Sequence, residues 1–297
     1  MFWQSTQHPD KIAVFTGVLP NLDVELVRLE EHGFVGDTGD GGASVWMRGV
    51  NTDGEKAKRF KLRSGGEELG DDEPKPEDLT GWEKEAGGEE VPVWCHCKGV
   101  QFVLKRGDYK DKDTKDLPWF VDPGNRKLLA GFDGCDSCRL SFGVDVNNWL
   151  FADAKFIHYS AERGGGSIEN MKVLREAVDK SDERVGTLAY YQSSPGVDRY
   201  FCGTCSATIF YATDSRPEIL DVALGVLDAE DGARAEGFLS WGFGGIGHDQ
   251  DAKGGWREGF LAKACEESEA WRVERGYPEN WRIAARKQKL LQQQKGA

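Results

Sequence analysis

The sequence has no apolar run of the roughly eighteen residues that a membrane-spanning helix needs. Its start, Met1 to Asp10, lacks both the basic flank and the apolar stretch of a secretory leader. These two absences predict a soluble, intracellular, cytoplasmic chain. Positive charge is also scarce, since 38 Lys and Arg stand against 51 Asp and Glu, for a formal net charge of -13. Affinity for phosphate backbones and anionic lipid comes largely from clustered cations, so neither a nucleic acid nor a membrane is expected as a partner. An anionic small molecule would need a local basic pocket. The seven cysteines are an odd number, which would leave one unpaired in a secreted disulfide framework. In a reducing compartment, close cysteine pairs point instead to metal or redox chemistry. The glycine run Gly164 to Gly166 has neither a preceding strand nor a phosphate motif around it, so nucleotide binding is not expected.

What is present divides the 297 residues into four stretches. Residues 1–50 carry short apolar segments, Ile12 to Val14 and Val24 to Val27, broken by glycine-rich turns, and read as β-rich. Residues 51–90 change to Gly, Glu, Lys, Asp and Pro and are expected as an acidic, polar linker. Residues 91–257 are again β-rich, with strand-like segments at Gly99 to Leu104, Lys155 to Tyr159, Gly186 to Tyr191 and Ala207 to Tyr211. In residues 258–297, Phe260, Leu261, Ala264, Cys265 and Trp271 recur at helical spacing. Gly276 there suits a helix end and Pro278 the start of another, so the tail is expected as two helices.

Residues 1–19 also align without gaps on residues 209–227. Phe2, Pro9, Val14, Gly17, Val18 and Leu19 match Phe210, Pro217, Val222, Gly225, Val226 and Leu227. About one identity would be expected by chance from ordinary residue usage, so the match predicts that the chain opens inside an incomplete first copy of its own second domain.

Three cysteine elements carry the chemistry. In Cys95-His96-Cys97, residues two apart in extended backbone project to one side, and a turn would serve as well. In Cys202-Gly203-Thr204-Cys205 the spacing allows a tight knuckle. Together they supply four thiolates, a set that suits zinc because it is borderline-soft and tetrahedral; iron is a second occupant of such a set. His96, between two ligands, is expected to project away from them, His158 to be a core histidine and Cys265 to pack in the tail. The third element, Asp133-Gly134-Cys135-Asp136-Ser137-Cys138-Arg139, offers two thiols and a carboxylate. Asp133, Cys135 and Cys138 are expected to hold a second, open and catalytic zinc, while Arg139 either lowers the thiol pKa values or binds a substrate carboxylate. The alternative is that Asp133 only makes a turn with Gly134.

In this order the three elements resemble the glutathione-dependent formaldehyde-activating, or centromere protein V/GFA, domain family. The family pattern is C-x-C opening a strand, then C-x-C-x-x-C followed by Arg and Gly, then F-C-G-T-C followed by a strand. Cys95 and Cys97 match the first, Cys135, Cys138, Arg139 and Gly143 match most of the second, and Phe201 to Cys205 match the third. Asp133 stands where the family places the first cysteine of its middle motif. The resemblance covers about residues 91–257 and implies a mainly β, Mss4-like zinc-bound fold with a structural zinc, a second catalytic zinc, and carbon-sulfur lyase activity on S-hydroxymethylglutathione or another thiol adduct of a small aldehyde. It also implies that residues 1–50 are the C-terminal half of a preceding GFA-like repeat. The alternative function is a non-catalytic, zinc-stabilised domain that binds protein partners.

Overall fold

The computed structural model describes residues 2–4, 10, 12–83 and 88–295. Met1, Pro9, residues 84–87 of the expected linker and residues 296–297 of the tail lie outside the described residues. The chain begins with a small antiparallel pair, β1 (Phe2–Gln4) and β2 (Ile12–Val14), followed by a parallel pair of two-residue strands, β3 (Glu31–His32) and β4 (Lys58–Arg59), with the short helix α1 (Ser44–Met47) between them. Val24 to Val27, expected as a strand, forms none; its apolar residues Val24 and Leu26 are exposed, so no second surface covers that alternation.

Next come β5 (Glu90–Trp94), β6 (Gln101–Lys105), β7 (Leu128–Asp133), helix α2 (Asp136–Phe142), β8 (Asn147–Asp153) and β9 (Ile157–Tyr159). Helix α3 (Met171–Asp179) precedes β10 (Leu188–Ser194), β11 (Val197–Cys202), β12 (Thr208–Thr213), β13 (Ile219–Ala223) and β14 (Leu239–Gly247). Helices α4 (Trp256–Glu274) and α5 (Trp281–Lys295) occupy the tail. The principal sheet has seven strands in the order β10-β11-β12-β13-β8-β7-β14, antiparallel except for the β7–β14 pair. A smaller sheet, β5-β6-β9, stands beside it.

Alternation explains the smaller sheet: Val91, Val93, Phe102 and Leu104 are buried, while Glu90 and Pro92 face out. In the principal sheet Leu220, Asp221, Val222 and Ala223 of β13 are all buried, as befits a central strand covered on both faces. Helix α3 falls within the stretch expected as strands and loops. Asn170 caps it by accepting from the Lys172 and Val173 amides, and Met171, Leu174 and Ala177 bury one face at helical spacing.

The N-terminal segment is packed into the rest. Trp46 of α1 sits among Phe132, Trp241, Phe243 and Trp271, with ring centroids 5.2–5.7 Å away. Buried Arg234 donates from its backbone amide to Asp40 at 2.7 Å and from its side chain to the Gly42 carbonyl at 3.0 Å. Within 51–90 most residues are exposed, yet Ala57, Phe60 and Leu79 are buried.

The two hairpins that align in sequence also share a register. Phe2 faces Val14 and Trp3 faces Ala13, and 208 residues later Phe210 faces Val222 and Tyr211 faces Asp221. Each second strand runs into a three-residue 3-10 turn, Thr16–Val18 and Leu224–Val226, at the same offset.

His32 in β3 makes this segment sensitive to acid. Burial, and then the charges of Arg59 and Arg48, lower its pKa from 6.5 to about 4. Between those values the unfolded chain binds a proton that the folded chain refuses, so stability must fall as pH drops from 6.5 towards 4. The loss is up to roughly 3 kcal/mol, at about 1.4 kcal/mol per pKa unit. Urea unfolding across this range is expected to show the slope, and His32→Gln is expected to flatten it; an unchanged slope would refute the assignment.

Candidate metal centre and thiol cleft

The first site is made by two turns. The chain leaves β5 at Trp94 and bends through Cys95, His96 and Cys97, with Lys98 in the left-handed region (φ 55°), before entering β6. The chain leaves β11 at Cys202 and bends through Gly203, Thr204 and Cys205, with Ser206 likewise left-handed (φ 63°). The Lys98 amide closes the first turn on the Cys95 carbonyl at 2.8 Å, and the Ser206 amide closes the second on the Cys202 carbonyl at 2.9 Å. Residues 105 apart in sequence thereby come together: Cys97 Sγ lies 3.5 Å from Cys202 Sγ and 3.5 Å from Cys95 Sγ. All four sulfurs lie within 4.8 Å of one another. A tetrahedral ion with metal-sulfur bonds of about 2.3 Å places its sulfurs about 3.8 Å apart, so this cluster can hold one metal ion.

Backbone amides prepare the sulfurs for negative charge. Val100 donates to Cys95 Sγ at 3.4 Å, and Thr204 and Cys205 donate to Cys202 Sγ at 3.4 Å each. Burial alone would raise the Cys202 thiol, but Thr187 Oγ1 and the Cys205 and Thr204 amides outweigh it and bring the pKa down to about 6. Cys95 is pushed up to about 12, first by burial. In the absence of an ion the sulfurs must share protons, and a dication among them would release those protons. His96 is exposed, as its position between two ligands predicts.

The second site lies at the end of β7. Asp133 Oδ1 accepts from the Cys135 amide at 2.9 Å, an arrangement that turns the chain into α2 as the turn reading supposed. Cys135 caps α2, its Sγ accepting from the Cys138 amide at 3.2 Å. The other carboxylate oxygen, Oδ2, lies 2.8 Å from Nδ1 of His248, which is brought from the far end of β14. Asp133, Cys135 and His248 have ligand atoms within 4.8 Å of one another, and Cys138 is not among them. The expected set of Asp133, Cys135 and Cys138 thus shares two members with this cluster, and His248 joins them. Cys138 instead meets Arg199, whose Nη1 donates to its Sγ at 3.6 Å. Its thiol is lowered by hydrogen bonding with Cys135 and with Arg199, against burial and Asp133, and Cys135 is raised by Cys138 and by burial.

Arg139 is turned to the N-terminal segment. Its guanidinium donates to the carbonyls of Gly17 and Leu19 and pairs with Asp136 at 2.6 Å. It anchors the N-terminal segment and does not line the cleft. A Cβ at Gly17 would fall 2.2 Å from the Arg139 carbonyl, so this approach requires glycine.

Cys135 and Cys138 open onto a cleft of about 1020 Å³, at the upper end of small-molecule pockets. Trp149, Phe151 and Tyr211 supply apolar wall, Arg199 and Arg216 sit among them, and α5 contributes the outer wall. Arg199 and His248 belong to this site although no local pattern marks either of them. His158, half-buried in β9, and Cys265, packed against the core from α4, belong to neither site. Among the described residues no helix is long and apolar enough to cross a membrane.

No family model and no curated protein matches the chain. Among solved structures it is similar to a Rhodobacter sphaeroides protein determined by a structural genomics programme. The two are 18% identical, with 50% of this chain and 98% of that chain covered, at a TM-score of 0.29.

Proposed function

We propose that this chain is a zinc-dependent carbon-sulfur lyase of the Mss4-like, centromere protein V/GFA type, acting on a glutathione or other thiol adduct of a small aldehyde. The observation that carries the reading is the separation of two cysteine sites: a tetrathiolate cluster with all its thiols turned inward on one another, and a thiol pair that opens onto a large cleft beside Asp133, His248 and Arg199. The matching hairpin registers support descent from a tandem protein.

Cys95, Cys97, Cys202 and Cys205 would hold a structural zinc, and Asp133, Cys135 and His248 would hold a second, with room for one further ligand. When bound there, that zinc supplies a Lewis acid for the sulfur of the departing thiol. In the reaction the carbon-sulfur bond of R-S-CH2-OH breaks and its electron pair stays on sulfur. The electrons of the hydroxyl O–H bond form the carbonyl of formaldehyde, and the proton passes to a base. Cys138 Sγ, held 3.6 Å from Arg199 Nη1, is placed to accept that proton, and Arg199 keeps the sulfur aimed at the cleft. Trp149, Phe151 and Tyr211 exclude water from one side of the reacting carbon.

Elemental analysis of the purified protein, combined with release of formaldehyde from S-hydroxymethylglutathione, tests this reading. Two ions per chain with turnover are expected. One ion without turnover would replace it with the alternative, a zinc-stabilised domain that binds protein partners.

A further inference from the structure

The chain carries 38 basic and 51 acidic side chains, yet the cleft reverses that balance. Five cations line it, Arg199, Arg216, Arg282, Arg286 and Lys289, against two carboxylates, Asp133 and Asp221. Arg216 and Asp221 cancel as a bidentate pair at 2.5 and 2.7 Å, and Asp133 faces His248. Arg199 is engaged with Cys138 and Ser193. That leaves Arg282, Arg286 and Lys289, all on α5, all exposed, and with no carboxylate partner among the described residues. Their spacing of four and then three residues places them on one face of the helix. The neighbouring Lys287 points elsewhere and is paired with Glu279.

Helix α5 is seated on the protein. Ile283 Cδ1 lies 2.8 Å from where a Cβ on Gly245 would be and 3.9 Å from that of Gly242, so bare backbone in β14 receives the helix. Asn280, buried, accepts from the Arg282 amide at 3.0 Å and fixes the first turn. Arg282 stacks over Trp119 at 5.0 Å. Three unneutralised cations held along the mouth of a cleft whose floor carries two thiols are a recognition surface for an anion attached to a sulfur compound.

We propose that Arg282, Arg286 and Lys289 are specificity-determining residues that read anionic groups carried by the ligand away from its sulfur, so that the cleft selects thiols and thioethers bearing carboxylates over neutral ones of the same size. This rests on the lyase reading for the identity of the sulfur compound but not for the chemistry performed on it. The probe is S-methylglutathione, an unreactive thioether with two carboxylates, and its comparison is the diethyl ester of the same molecule.

Calorimetric titration of the metal-loaded protein is expected to show S-methylglutathione binding at least about tenfold more tightly than the diester, which is roughly what the loss of one charge-assisted contact removes. The preference should shrink as salt is raised. In Arg286→Glu/Lys289→Glu, changed at two exposed positions, the acid is expected to lose that advantage while the diester binds as before. Equal binding of the two ligands, failure of both to bind, or an unchanged preference in the double variant would each overturn the proposal. Selective binding without any formaldehyde release from S-hydroxymethylglutathione would leave it standing and remove the lyase reading. Turnover with an unchanged KM in the double variant would do the reverse.

Discussion

Cys202→Ser is expected to remove cooperative unfolding altogether, and so is stripping the wild-type protein with a strong chelator. Cys202 is buried, its sulfur is the acceptor for two amides and the Thr187 hydroxyl, and it sits at the junction of turns that follow β5 and β11. Serine keeps the volume but is a far poorer ligand for a soft dication. Zinc held by four such ligands contributes on the order of 10–16 kcal/mol in small zinc-binding peptides, which equals or exceeds the whole stability of a typical domain, about 5–15 kcal/mol. An ion held there would also close a loop in which contacting cysteines are 105 residues apart, so losing it would restore conformational freedom to the entire segment between them. Circular dichroism during heating is the measurement. A variant that melts like wild type, or a protein indifferent to chelation, would show that the four sulfurs hold no ion and are merely packed.

Cys135→Ser is expected to behave in the opposite way, sparing the fold and removing activity. Cys135 is half-buried and lines the cleft, and its main structural contact is the bond from the Cys138 amide, which a serine oxygen at a helix cap can also accept. The cost in stability is about 1 kcal/mol, a shift of roughly 2–4 °C in melting temperature for a domain of this size. Turnover should fall by at least about a hundredfold, the usual scale for losing a positioned catalytic group, and the metal content should drop from two ions to one. His248→Ala is expected to share both effects, because its ring lies against the same carboxylate. If Cys135→Ser and His248→Ala both keep two ions and full turnover, the second site is not where the chemistry occurs.

Much of the first site was legible because ligand spacing within a turn is a local property. Two residues between thiols make a knuckle, and one between them makes a tighter turn, so the pairs announce themselves before any fold is known. The tail was legible for the same reason, since a helical period is written in consecutive residues, although α5 begins at Trp281 after an Asn280 cap and not at Pro278. Helix α3 was written there too, in Asn170, Met171, Leu174 and Ala177, but at nine residues its period is easily taken for a strand and its loop. The second site was only half legible. Arg139 follows Cys138 in sequence, but one residue along a helix turns a side chain by about 100°, enough to aim it at Gly17 and Leu19 rather than into the cleft.

The sequence alone determined the donor chemistry of this protein, a soft tetrathiolate and a mixed thiol and carboxylate element, together with a β-rich middle and a helical end, because each depends on residue type and on spacing over a few positions. Tertiary structure decided which groups face one another. His248 reaches Asp133 from 115 residues away and Arg199 reaches Cys138 from 61, each delivered by a strand of the same sheet. The docking of α5 on Gly242 and Gly245 makes a cationic wall in an acidic chain. Such meetings are set by strand order and by which face of an element is covered, and a lone histidine or arginine carries no mark in sequence of the partner it will find.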